Sequence, residues 1–326
     1  MIAFVLSGGG NRGPLEVGAL QVLLENGIQP DMLVGTSAGA INAVFLAMDP
    51  TVEGALAVGR KWSKVNGDQV LHGNRLSMLW RFLTGKDSLY TNEGLRHLIE
   101  ENLPPGVERF GDLQRIKVYI VATSLDTGEP RVFGRDPNER LLDAIMASTA
   151  LPPFLPPWRC GEELLVDGGI AADLPVRISV GEGAKEVYAL HLVDVPPQHR
   201  QMRDLLSIAE QTINHVLSRQ LDAELEESAS IEGVTLHYIP LTGFYNLPLW
   251  DLSRTAEMIE DGRRQTQAYL EAWPAVAAGE RLSSIGQRIK VGLSSTLGRL
   301  RRILSRNHRS RDEKMKPHSG AFRVRS

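Results

Sequence analysis

An α/β fold, with a mainly parallel central sheet and helices on both faces, is predicted by three features of the chain. Apolar runs of strand length at 2–6 and 32–34 are each followed by a segment of helical character, and strand–helix–strand–helix order favours parallel strands. Glycine-rich turns, Ser7 to Gly13 and Gly35 to Gly39, join each of these strands to its helix. A buried-strand candidate at 117–123 and further strands downstream extend the sheet.

After the first strand and its glycine cluster, Pro14 stands where a first helical position tolerates a missing N–H. Val17, Leu20, Leu23 and Leu24 repeat at helical spacing, and Gly27 ends that helix. Met32, Leu33 and Val34 form the second strand, and 40–48 the second helix. Residues 53–65 read as helical, and Leu76, Met78, Leu79, Trp80, Phe82 and Leu83 make 75–83 a dense apolar patch. Asn92 is placed to cap a helix over 93–102, which must stop before Pro104 and Pro105. A strand at 117–123, a turn at 126–129, a short strand at 131–133 and a helix at 141–148 follow. Prolines 152, 153, 156 and 157 exclude regular structure from 151–157. The strand 164–166 ends in Asp167-Gly168-Gly169; strands at 187–193 and 234–239 and helices at about 203–228 and 253–272 complete the body.

With 326 residues, 42% of them hydrophobic, the chain can build one extended core or two domains. No window holds 18 uninterrupted apolar residues, so no transmembrane helix is expected. The first residues lack a basic region and run straight into glycines, which argues against a signal peptide. Cys160 stands alone; it excludes an intramolecular disulfide, fits a reducing, cytoplasmic setting and reads as a structural thiol. The net charge of −3 conceals an asymmetry: residues 281–326 hold 13 Lys+Arg against 2 Asp+Glu, a net of +11, leaving −14 on residues 1–280. A domain over 1–280 followed by a basic tail over 281–326 is expected from this division.

Three stretches carry chemistry. Gly35-Thr36-Ser37-Ala38-Gly39, between an apolar strand and a helix, has the pattern of a nucleophile elbow. Side chains at 35 and 39 would crowd the neighbouring backbone, and the turn presents Ser37 at a helix N-terminus that favours developing negative charge. The plain alternative is a strand–helix turn without chemistry. The loop holding Gly8, Gly10 and Gly13 formally matches a dinucleotide fingerprint, but the acidic residue this requires at the end of the second strand is absent there; Asp31 stands at its beginning. The other use of such a loop is an oxyanion hole, with amides of Gly9, Gly10, Asn11 and Arg12 aimed near Ser37. Asp167, at a strand end before two glycines, either exposes its carboxylate in the crevice at the sheet edge or closes an Asx-type turn. To act as a base it needs burial and a hydrogen bond from serine, because a free Asp at about 3.9 is too weak. His191 and His237 follow Asp167 in the order a triad would need, yet both lie inside apolar strands and read as core histidines with satisfied hydrogen bonds.

Taken together, Gly8-Gly9-Gly10-Asn11-Arg12-Gly13, Gly35-Thr36-Ser37-Ala38-Gly39 and Asp167-Gly168-Gly169 resemble the motifs of the patatin-like phospholipase family, and Ala147-Ser148-Thr149-Ala150-Leu151-Pro152 resembles a fourth family element. The resemblance spans about residues 2–275. It implies a patatin-like three-layer sandwich and a Ser–Asp dyad in lipid acyl-ester hydrolysis: Ser37 as nucleophile, Asp167 as base, and the loop Gly8, Gly9, Gly10, Asn11 and Arg12 as oxyanion hole. Asp173 departs from the family, many of whose members carry Asn there. A phospholipid or other acyl ester is the implied substrate, with no cofactor, metal or nucleic acid. A soluble esterase or thioesterase on the same dyad, or an idle lipid- or partner-binding scaffold, are the alternatives.

Two segments bear on lipid. The patch 76–83 and residues 150–158, with Phe154 and Trp158, either line an acyl channel or lid or pack in the core. Over 283–304, Ile285, Ile289, Leu293, Leu297, Leu300 and Leu304 recur every three to four residues among arginines. That is a basic amphipathic helix, suited to an anionic membrane surface or to docking on the acidic body. Residues 306–326 read as disordered.

Overall fold

The computed structural model describes residues 1–65, 67–70, 84, 86–193, 221–222, 224–228, 230–245, 247–248 and 251–279. Its strands are β1 (Ile2–Leu6), β2 (Met32–Thr36), β3 (Lys117–Ser124), β4 (Pro130–Phe133), β5 (Trp158–Cys160), β6 (Glu163–Asp167), β7 (Glu186–Leu192) and β8 (Thr235–Leu241). They form one sheet in the order β5-β6-β3-β2-β1-β7-β8, with β4 on β3. The pairs β1–β2, β1–β7, β2–β3 and β7–β8 are parallel; β3–β4, β3–β6 and β5–β6 are antiparallel. The mainly parallel α/β fold is therefore present. The chain leaves β1 toward β2 on one side and leaves β7 toward β8 on the other, so the crevice beyond the carboxyl ends of β1 and β7 is a switch point of the kind where ligands bind.

Both faces of the sheet are covered, which explains why β1 and β2 are continuously apolar. On one face Ala3, Val5, Met32 and Val34 pack with Leu174 and Val176. Helices α1 (Gly13–Glu25) and α2 (Ala38–Met48) adjoin the sheet, and α3 (Val52–Trp62) packs on both of them. Every residue from Gly13 to Leu24 is buried, more than the one apolar face its sequence shows. The causes are α3, which packs along α1, and the long helix Thr255–Gly279, which crosses it at backbone contact. A Cβ on Gly18 would stand 2.0 Å from the Ile259 carbonyl oxygen, and one on Gly262 1.9 Å from that of Leu15.

The expected helix over 141–148 is present, Leu141–Ser148, as is Glu93–Asn102, but the Asn92 side chain makes no capping bond to the latter. β5 was not expected: three residues, paired through the turn at Gly161, are too short to show a pattern. The chain divides into a compact unit, Met1–Ala272, and a second, Trp273–Ser326. The patch at 76–83, most of the helix expected over 203–228, the amphipathic helix at 283–304 and residues 306–326 lie outside the described residues. No described helix is long and apolar enough to cross a membrane.

Candidate active site

β2 ends at Thr36 and α2 begins at Ala38, so Ser37 makes the reversal alone, with φ 53° and ψ −118°. A non-glycine residue held there costs roughly 1–3 kcal/mol and persists only where its surroundings over-determine it. They do. A Cβ on Gly35 would lie 2.4 Å from the Gly39 carbonyl oxygen, and one on Gly39 2.5 Å from that of Leu6, so the turn closes only on glycine.

Register brings Asp167 to the same level. Thr36 pairs with Val121, and the next residue of β3, Ala122, pairs with Asp167 on the antiparallel β6. Ser37 Oγ donates to Asp167 Oδ2 at 2.7 Å, while Asp167 Oδ1 accepts the Gly169 N–H at 2.8 Å. The turn and the serine thus use different oxygens of the one carboxylate. Asp167 is 3% exposed. Burial pushes its carboxyl up to about 7, with the Asp173 charge adding, against the bonds from Gly169 and Ser37.

Ser148 has a part that the sequence reading missed. Its hydroxyl accepts the Ser37 N–H at 2.8 Å and donates to the Val121 carbonyl at 2.6 Å. The Asp167 amide donates to the Ala150 carbonyl at 2.9 Å and the Gly168 amide to that of Ser148, so the stretch 148–150 ties down both turns. Its place in the element Ala147-Ser148-Thr149-Ala150-Leu151-Pro152 was a signal, but no role for the hydroxyl was read from it.

The glycine loop follows β1 on the near side of Ser37. Its amides divide. Gly8 N–H donates to the Asp173 carbonyl at 3.2 Å and Arg12 N–H to that of Gly9 at 3.1 Å. Those two, expected among the oxyanion donors, are already engaged in folding the loop. Among the described residues no acceptor is bonded to the amides of Gly9, Gly10 or Asn11. The Asn11 side chain instead anchors the loop, donating to the carbonyls of Pro248 at 2.8 Å and Asp251 at 3.0 Å. Arg12 Nη1 donates to the Val193 carbonyl at 3.1 Å.

Beneath the loop lies Glu16, which the sequence reading also missed. Its carboxylate accepts from Ser7 N–H at 2.8 Å and Asn42 Nδ2 at 2.9 Å, and Asn42 Oδ1 accepts from Trp62 Nε1 at 2.7 Å. Burial pushes this carboxyl well above the usual range, against the bonds from Asn42 and Ser7.

Neither histidine bonds to Ser37 or Asp167. His237 is buried, stacks on Tyr188 and lies 3.3 Å from Glu186; burial lowers its proton affinity. His191 Nδ1 is 2.6 Å from Tyr238 Oη and its Nε2 is 3.6 Å from Asp173.

The chain is 26% identical over 293 residues to the uncharacterized protein YqhO of Bacillus subtilis, covering 82% of this chain and 98% of that one. It is 27% identical over 191 residues to an uncharacterized NTE family protein of Mycobacterium tuberculosis, and 26% over 193 to a lysophospholipase of Aspergillus oryzae; these cover 59% and 58% of this chain but only 30% and 12% of those relatives. Among solved structures, VipD from Legionella pneumophila aligns over 83% of this chain and 66% of its own at 18% identity and TM-score 0.46. Human GIVD cytosolic phospholipase A2 aligns over 91% and 59% at 15% and 0.44. Residues 4–180, which hold the glycine loop, the Ser37 turn and Asp167, match the family model described as patatin-like phospholipase, and the chain belongs to that family.

Proposed function

We propose that the chain is a lipid acyl hydrolase that cleaves carboxylic esters through an acyl-Ser37 intermediate, with Asp167 as base. The observation that carries this reading is the 2.7 Å bond from Ser37 Oγ to the buried Asp167 carboxylate. A base near 7 is matched to neutral pH, where an ordinary Asp is not. Ser37 attacks the ester carbonyl as its proton passes to Asp167, so no new charge pair forms in the buried site. The amides of Gly9, Gly10 and Asn11, with the N-terminus of α2, hold the tetrahedral oxyanion. Asp167 returns the proton to the leaving alcohol; it then takes one from the water that releases the acid and restores Ser37.

The substrate is a phospholipid or lysophospholipid, as the name of the Aspergillus relative suggests. Residues 1–280 form the catalytic body, and the basic residues 281–326 meet an anionic membrane surface. An active-site fluorophosphonate tests the chemistry. The wild-type chain acquires an adduct that mass spectrometry places on Ser37; folded Ser37→Ala acquires none and loses ester turnover. Full turnover in Ser37→Ala overturns the reading.

A further inference from the structure

Asp173 stands inside the crevice. A Cβ on Gly8 would lie 2.7 Å from Asp173 Oδ1 and 3.3 Å from the Ser37 Cβ. A Cβ on Gly169 would lie 3.3 Å from the same oxygen and 3.2 Å from Asp167 Oδ1, so the two carboxylates approach within the sum of those distances, 6.5 Å. Groups of both kinds face Asp173. Asp167 on β6, Glu16 on α1 and Glu224 in the helical stretch 224–228 each feel its negative charge. Tyr238 on β8 feels it too, with Asp222 behind, and its burial holds the phenol far above the ordinary value. Among the described residues His191 on β7 is the one basic side chain within ion-pair reach. Because Tyr238 keeps its proton, it can donate to His191 Nδ1 or accept from it, and Nε2–H faces Asp173 in either protonation state.

We infer that Asp173 is a positioning residue of the Ser37–Asp167 pair, its carboxylate acting on Asp167 across the Gly169 turn while His191, held by Tyr238, offsets that charge. The inference rests on the proposed role of Asp167 as base. His191 Nε2, 3.6 Å from the Asp173 carboxylate, is placed to draw that negative charge away from Asp167. An Asn at 173 would leave the crevice with one carboxylate and His191 with nothing to offset.

The test is the pH dependence of Ser37 labelling by a fluorophosphonate, read as the acidic limb of the rate. Asp173→Asn moves the limb to lower pH by about 1 unit, the size expected of a like charge at this separation in a partly wet crevice. His191→Gln moves it the opposite way by less, and in the Asp173→Asn background His191→Gln moves it no further. Asp173→Ser replaces the amide variant if thermal melts show that one unfolded. An unmoved limb in a folded Asp173 variant, even with a changed plateau, overturns the inference. So does an unmoved limb in His191→Gln, or an equal His191 effect in both backgrounds. Absence of labelling on wild-type Ser37 at every pH overturns the dyad itself, which separates the two failures.

Discussion

Asp167 sits in a place that suits chemistry better than stability. Its carboxyl titrates at about 7 in the fold against an ordinary 3.8, so between those values the folded chain holds a proton that the unfolded chain has released. The stability this group contributes is full below pH 3.8, declines as pH rises and is gone above pH 7, a swing of about 4 kcal/mol. Asp167→Asn is therefore expected to melt several degrees higher than wild type at pH 8 and with little difference at pH 4, while ester turnover is lost. Calorimetry at the two pH values checks it; an equal change in melting temperature at both contradicts the assignment of burial as the cause. Ser37 and Asp167 were legible in the sequence because their motifs are local, five and three residues long. Ser148 and Glu16 were not. Ser148 meets Ser37 across 111 positions, and Glu16 reads as one more residue of an apolar helix until the Ser7 amide is seen above it. Contacts of that kind are set by register between distant segments, which periodicity does not report.

Among the elements, α1 is where composition misled. Its apolar repeat suggests a helix with one buried face, whereas Glu16 is buried as well, beneath the glycine loop and against Asn42, and Gln21 between α3 and the helix Thr255–Gly279. Gly18 is the residue that lets the latter helix approach. In an ordinary exposed helix, glycine to alanine stabilises by about 0.8–1.0 kcal/mol. Here the new methyl would stand 2.0 Å from the Ile259 carbonyl, so Gly18→Ala is expected to destabilise by about 1–3 kcal/mol and to lower the melting temperature by several degrees. A rise in melting temperature would show that the crossing is looser than described. The strands were mostly legible, because β1, β2, β3 and β7 are continuous apolar runs; β5, three residues on the sheet edge, has no such run to read.

For the molecule as a whole, strand–helix alternation was enough to give the fold class, and charge gives its most direct test. A body of net −14 and a tail of net +11 predict different encounters with an anionic surface. Deleting residues 281–326 is expected to weaken binding to vesicles rich in phosphatidylserine at least tenfold in 0.1 M salt, with the difference shrinking at 1 M as screening removes it. Sedimentation with vesicles measures this, and equal binding with and without the tail would contradict the membrane role. Turnover of a soluble short-chain ester should be unaffected by the deletion.

β3 carries neither Ser37 nor Asp167, yet both are referred to it: β2 and β6 meet the same edge of β3 at successive levels, running opposite ways, with β4 on the other edge, so that Val121 and Ala122 serve as a common datum. The 2.7 Å between serine and carboxylate is thus gauged from a third strand and not from the lengths of chain that join the two. Insertions that leave α2 and the stretch 148–150 in place, between residues 49 and 116 or between 125 and 140, can grow into new walls around the crevice while the reacting pair keeps its calibration.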